Sequence, residues 1–229
     1  MRVDIWTDIV CPWCYIGDGR FARALAGFEH RDEVDVIHHS FELDPSIPAG
    51  QVTPIMDLLA AKYGMTQDQA RDAEARVAGL AAADGLELTA ERAMGNTFNA
   101  HQLVHLGREQ SQEQSREQGR EQGLAERLLQ RLYHAYFAEG RPVFDPDDLA
   151  GLAAGEGLDP EETRQALKDG SYADAVRADE AQAAQIGISG VPFFVLDRKY
   201  GISGAQATET FTRALEQVWR SRGPEAASA

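Results

Sequence analysis

Residues 3–17 read VDIWTDIVCPWCYIG. Val3 to Asp8 has the look of a short strand, with Val3 and Ile5 apolar. Cys11-Pro12-Trp13-Cys14 follows at once. Pro12 suits the first position of a helix, where its missing N–H costs nothing. Phe21, Leu25 and Phe28 continue an apolar face at i, i+4 and i+7, which predicts a helix from Pro12 to about Glu29. Gly17 and Gly19 either weaken that helix or let another backbone approach it. A second strand is read at 34–43, VDVIHHSFEL, closed by Asp44-Pro45. Strand, helix and strand in this order make a βαβ opening.

Beyond Pro48 the pattern is almost wholly helical as far as Gly170. Thr53-Pro54 starts one helix, which stops at Gly64. Thr66 with Gln69 forms a capping box for the next, which ends near Gly85. Asn96 or Thr97 caps a third, and a long helix runs through Leu124, Leu128, Leu132 and Tyr136 to Gly140. Asp145-Pro146 and Asp159-Pro160 open two short helices. A further helix runs from about Tyr172 to Ile186. Strand character returns at 191–196, VPFFVL, and after a turn at Asp197-Arg198 again from Tyr200 to Ser203. The last helix carries Phe211, Leu215, Val218 and Trp219 on one face. Strands at both ends with helices between predict one α/β domain, residues 1–47 and 172–222, interrupted by a helical insertion at 48–171. Residues 223–229 are expected to be a frayed tail. Residues 108–123 repeat Arg-Glu-Gln without an apolar side chain. Nothing there can bury a face, so a solvated helix extension or a loop is expected.

The chain carries a formal net charge of -15, which repels phosphate backbones and argues against nucleic acid. The same charge argues against an anionic membrane surface. No apolar run approaches the roughly 20 residues of a membrane helix, and the first residues lack a signal-peptide core, so a cytoplasmic location is expected. Cys11 and Cys14 are the two cysteines of the sequence. A bridge between them closes too small a loop to staple the fold. In a reducing compartment such a pair is catalytic or metal-binding more often than structural.

The thiolate is the attacking species in disulfide exchange, and a helix N-terminus favours negative charge. Cys11 stands at such a terminus, on an exposed helix tip, and Cys14 lies one turn in on the same face. Cys11 can therefore attack a substrate disulfide, and Cys14 can then displace the substrate from Cys11. The competing readings are half of a zinc site and an inert buried pair. Zinc takes four ligands, and no second Cys-x-x-Cys exists. None of His30, His38, His39, His101, His105 and His134 has the usual partner spacing, so no metal is expected. HQLVH at 101–105 lacks the glutamate of a zincin motif, so both histidines are expected to be polar lining or satisfied core groups. His38 and His39 point to opposite faces of their strand. Pro192 either simply begins a strand or makes a cis peptide with Val191, leaving nearby backbone free to pair with an extended substrate.

CPWCYIG after a short strand, NAHQL on a middle helix, and SGVPFFV and SGAQ near the end resemble the DsbA-like oxidoreductases. Within them the chain is most similar to the FrnE subgroup, named for a protein encoded with polyketide biosynthesis genes. The resemblance spans Val3 to Trp219. It implies an α/β, thioredoxin-like fold with a large all-helical insertion domain, and the activity of a thiol–disulfide oxidoreductase. Cys11 would be the nucleophile and Cys14 the resolving thiol. Pro192 would be cis and, with Val191, would bind substrate. Pro12 and Trp13 would tune the potential, and Asn99 and His101 would lie near the cleft. No bound cofactor is implied beyond the redox-active Cys11–Cys14 disulfide, with glutathione as a candidate co-substrate.

Partners would be thiols or disulfides of proteins, peptides or small molecules. The oligomeric state stays open, a homodimer included. Hydroxychromene-carboxylate isomerases and kappa-class glutathione transferases share this fold, and they supply the alternative. That alternative is a glutathione-dependent isomerase or transferase of an aromatic or polyketide small molecule. Those enzymes usually carry serine at the first motif position, so Cys11 and Cys14 favour the redox branch. A non-enzymatic binding module is the third reading. Tryptophan stands where secreted members often have histidine and cannot stabilise a thiolate by charge, which implies a less oxidising pair.

Overall fold

A computed structural model describes residues 1–118 and 123–222, with 112–118 described as backbone alone. The expected tail at 223–229 and much of the Arg-Glu-Gln repeat lie outside the described side chains. Strand β1 (Arg2–Thr7) pairs in parallel with β2 (Asp35–Ser40), in register from Arg2 opposite Asp35 to Thr7 opposite Ser40. Its other edge pairs antiparallel with the strand Phe193–Leu196, which turns through Asp197-Arg198 into Tyr200–Ser203. The first helix, α1 (Pro12–Ala26), joins β1 to β2, as the βαβ reading requires. It ends earlier than Glu29 because Gly27 closes it, its N–H donating to the carbonyls of Arg23 and Leu25. Strand β2 ends at Ser40, short of Leu43, because β1 ends opposite it. The N–H of Phe41 still reaches Thr7, but that of Leu43 donates to the Asp8 carboxylate at 2.7 Å.

The insertion begins with β3 (Val52–Pro54) and α2 (Ile55–Tyr63), and α2 stops at Gly64 in the left-handed conformation. Helix α3 (Gln67–Ala83) opens with the Thr66–Gln69 capping box. Strand β4 (Ala93–Gly95) then pairs antiparallel with β3. This ribbon interrupts an insertion expected to contain helices alone. Each of its strands has three residues, too few to show a period of two. Helix α4 (Phe98–Gln118) follows, with Asn96 accepting from the Phe98 N–H. The long helix expected through Leu124 is broken: α5 (Leu124–Tyr133) is capped by Gly123 and closes in a π-helical turn, His134–Ala138. Helices α6 (Pro146–Ala154) and α7 (Pro160–Asp169) start at Asp145 and Asp159, whose carboxylates accept from the first-turn N–H groups. Helix α8 (Ala173–Gln185) leads back to the sheet. The returning strands are β5 and β6 as given above, and α9 (Thr208–Ser221) ends the described chain. The sheet order is β2-β1-β5-β6.

Alternation along β1 sends its side chains to two different cores. Val3 and Ile5 pack with Phe21 of α1, Phe28 just beyond that helix, Phe194, and Phe211 and Leu215 of α9. Trp6 faces the other way, against Ala183 of α8 and Ile188. Beside it lies a buried polar cluster. The His39 ring stacks on Trp6 at 4.5 Å, and donates from Nδ1 to Asp179 at 2.6 Å and from Nε2 to Asp4 at 2.8 Å. Asp179 also accepts from the Ser40 N–H at 2.9 Å and lies 3.1 Å from His105 Nε2. A buried ion pair is costly to break, because the surviving charge is left without a partner.

Burial pushes the Asp179 carboxyl upward, but hydrogen bonds from His105 and His39 outweigh it and hold the group well below the usual carboxylate range. Burial pushes the His39 ring downward, and bonds to Asp179 and Asp4 outweigh it, so its proton is held above the usual histidine range. A raised histidine stabilises the fold below its unfolded pKa and loses that contribution as pH rises through its folded value. The depressed Asp179 contributes above its unfolded pKa and loses that contribution as pH falls. The cluster therefore stabilises most in the window between the ordinary carboxylate and histidine ranges. Asp179→Asn is expected to cost about 3 kcal/mol in denaturant unfolding at pH 6. The gap to wild type should narrow as pH rises and His39 loses its proton, and a gap independent of pH would contradict this assignment.

Candidate active site

Strand β1 delivers the chain to Thr7, and residues 8–11 carry it to the mouth of α1. Cys11 is the N-cap of that helix, in extended conformation, and Pro12 takes the first helical position. The Cys11 carbonyl accepts from Cys14 N–H at 3.0 Å and Tyr15 N–H at 3.2 Å. This turn sets Cys14 beside Cys11 in one buried cluster. Both cysteines are free thiols. The Cys11 sulfur also lies 3.7 Å from the carbonyl oxygen of Val191, and its thiol can donate there. The Val191–Pro192 peptide is cis. Segments far apart in sequence thus meet at one sulfur.

The pair is not on an open helix tip. Cys11 is 3% exposed and Cys14 0%, because the insertion closes over them. One continuous apolar cluster includes Ile9, Val10, Cys11, Cys14 and Tyr15 together with Leu103, Leu132 and Phe137 of the insertion. The Tyr15 ring stacks on Phe137 at 4.8 Å. Trp13 alone of the motif turns outward, 43% exposed. Burial, reinforced by the neighbouring Cys11, pushes the Cys14 thiol well above its ordinary range. Hydrogen bonds from the Thr7 hydroxyl and the Asp8 N–H oppose that shift, the latter at 3.5 Å from the sulfur. Cys14 is therefore held as a protonated thiol.

His101 is buried on α4, its Nε2 3.4 Å from Asp8 Oδ1. It stands behind the cysteine turn. Asn99 is engaged within the insertion, donating to the Phe144 carbonyl at 3.2 Å and accepting from Gln102. His105 meets the expectation of a satisfied core group through Ser40 and Asp179. His38 and His39 do face opposite ways, to Asp18 and to Asp4 with Asp179. Reading the sequence misses Thr7, Asp8 and Tyr133. The first two adjoin the motif in a strand end that looks ordinary. Tyr133 reads as one more apolar-face residue of a helix.

A family model described as the DSBA-like thioredoxin domain matches residues 2–216. The probable DsbA oxidoreductase SCO1869 from Streptomyces coelicolor is 51% identical, with a TM-score of 0.89 over 98% of this chain and 92% of that one. The cytosolic disulfide reductase DsbM from Pseudomonas aeruginosa, solved with GSH, is 19% identical, with a TM-score of 0.62 over 96% of this chain and 100% of that one. A 2-hydroxychromene-2-carboxylate isomerase is 14% identical, with a TM-score of 0.70 over 100% of both chains. At these lower identities the likeness is one of fold.

Gly17 sits in α1 where Pro192 crosses. A Cβ there would stand 2.9 Å from Pro192 Cγ and 3.3 Å from the Ala205 backbone. Gly17 therefore admits a neighbour, and Gly19 does the same for Leu86 at 3.3 Å. Gly17→Ala is expected to destabilise by about 1–2 kcal/mol in urea. Overpacking costs about 1–3 kcal/mol, and the helical preference for alanine offsets about 1 kcal/mol of that. A stabilised Gly17→Ala protein would show that Pro192 does not pack here.

Proposed function

The chain belongs to the DSBA-like thioredoxin domain family, and from that premise we propose that it is a thiol–disulfide oxidoreductase working through Cys11 and Cys14. The observation that carries the reading is the placement of Cys11 at the helix N-cap with Val191 against its sulfur, and of Cys14 in the same turn, its N–H on the Cys11 carbonyl at 3.0 Å. Cys11 is the nucleophile. It attacks one sulfur of a substrate disulfide, and the other substrate sulfur leaves with the electron pair. Cys14 then attacks Cys11, the Cys11–Cys14 bond forms, and the second substrate sulfur is released. The disulfide is regenerated to dithiol by an external thiol. The same steps in reverse oxidise a substrate dithiol.

Several features support details of this reading. Cys14 is the more enclosed sulfur and is kept protonated by burial, which suits a resolving thiol that acts second. Val191 and Pro192 line the approach to Cys11 and are assigned to substrate binding. Trp13, two residues on from Cys11, is exposed. With Pro12 it tunes the pair without adding charge, so a reductase or isomerase fits better than a strong oxidant. A cytoplasmic location and placement in the FrnE subgroup accord with this reading. Glutathione is a natural reducing partner; the structural neighbour DsbM was solved with GSH. Cysteine at both motif positions argues against the isomerase alternative, despite the fold it shares.

The test is reduction of insulin driven by a dithiol. Cys11→Ser should abolish turnover. Cys14→Ser should still react once and accumulate as a mixed disulfide at Cys11, visible by intact mass. Wild-type turnover in Cys11→Ser would remove Cys11 from the assigned role.

A further inference from the structure

Asp8 holds the cysteine turn by its main chain. Its N–H approaches the Cys14 sulfur at 3.5 Å, and its carbonyl accepts from the Cys11 N–H at 3.2 Å. The carboxyl carbon is three bonds from that nitrogen, so the side-chain charge cannot lie far from the sulfur. One carboxylate oxygen, Oδ2, accepts from the Leu43 N–H at 2.7 Å. The other, Oδ1, faces His101 Nε2 of α4 at 3.4 Å. That is close enough for an ion pair but not aligned as a hydrogen bond, and neither atom has a hydrogen-bond partner among the described residues. Asp8 is 0% exposed and His101 2%. Folded proteins rarely leave buried polar atoms in this state, and each instance asks for an explanation. Glu42, beyond β2, is buried as well, but Arg177 of α8 meets it at 2.7 Å. Among the described residues, His101 is thus the group that can bring positive charge to the Asp8 carboxylate.

We propose that Asp8 and His101 are a charge couple that sets the redox poise of the Cys11–Cys14 pair. The Asp8 carboxylate opposes a thiolate in the cysteine turn. His101 is the positioning residue that, through Asp8, relieves that opposition. The inference rests on the dithiol reading above. A nearby like charge disfavours the ionised thiol, and a buried site carries the effect further than water does. A less stable thiolate makes the reduced form less stable, and the disulfide is then harder to reduce. Asp8 therefore biases the pair toward a reductant, in the same sense as the uncharged Trp13. The equilibrium concerned is balanced by glutathione. Two glutathione thiols give their electrons and protons to the Cys11–Cys14 disulfide, which becomes the dithiol while one glutathione disulfide forms. The other titratable groups whose charges reach the couple are Cys11 and Cys14 of the turn, Glu42 beyond β2 and Tyr136 of the π-turn. His101 comes from the insertion, so the insertion acts on the chemistry as well as covering it.

The test equilibrates the full chain with glutathione buffers at a pH above the midpoint of Cys11 alkylation. The fraction carrying the Cys11–Cys14 disulfide is read by mass. Asp8→Asn keeps the shape and removes the charge. It should shift the equilibrium constant about tenfold toward the dithiol, which is about 30 mV more oxidising for a two-electron couple. His101→Gln leaves the carboxylate without its partner and should shift the constant the opposite way. The pH midpoint of Cys11 alkylation should fall in Asp8→Asn and rise in His101→Gln. His101→Asn repeats the second arm should His101→Gln not fold. A merely structural role gives shifts of one sign, or none. Either result, with the disulfide still forming in each protein, would overturn the couple and leave the dithiol reading standing. Absence of the disulfide in wild type would overturn that reading, and the couple with it.

Discussion

A sulfur atom buried at the seam between the sheet and the insertion is the constraint around which this structure is organised. Cys14 has no solvent exposure, and its neighbours come from separate parts of the chain. The Asp8 N–H reaches it from the end of β1, Cys11 adjoins it from the helix cap, and Leu132 and Phe137 of the insertion share its apolar cluster. Burying an ionisable thiol disfavours its charge, so the second sulfur waits as a thiol while the first stands at the helix N-cap against Val191. In the exchange proposed above, this packing would order the chemistry: one sulfur would meet the substrate and the other would finish the exchange.

Helix α4 is the post that keeps the seam closed. His101, His105 and Arg108 fall at i, i+4 and i+7 and share one face of the helix. His101 meets Asp8, His105 meets Ser40 and Asp179, and Arg108 donates to the His38 carbonyl. That face carries the insertion onto the end of β2 with polar contacts in place of an apolar stripe. Arg108 opens the Arg-Glu-Gln repeat, so the repeat is not wholly a solvated extension. Glu109 also hydrogen-bonds the Tyr172 hydroxyl. Buried polar contacts of this kind are demanding in geometry. They fix where α4 sits, and with it the lid over the cysteines.

What could be read in advance was local. The βαβ opening, the Thr66 capping box, the aspartates at the starts of α6 and α7, and the two closing strands all follow from spacing within a few residues. Gly17 was legible as a point of close approach, though not by what. The β3–β4 ribbon escaped because three residues per strand show no alternation. The partnership of Thr7 with Tyr133 escaped for a different reason. It joins a strand end to a helix far along the chain, and neither residue breaks its own local pattern. The motif alone suggested an open helix tip. The covering of Cys11 depends on where the insertion folds back, which no short window records.

The central claim is that these two sulfurs exchange a covalent bond with each other. The direct measurement is equilibration of the protein against glutathione buffers, followed by acid quench, alkylation and mass analysis. The account predicts one two-electron transition, in which the oxidised protein carries a Cys11–Cys14 disulfide and no retained glutathione. Oxidised protein in which each cysteine carries its own glutathione, or thiols that stay reduced across the whole range, would contradict it.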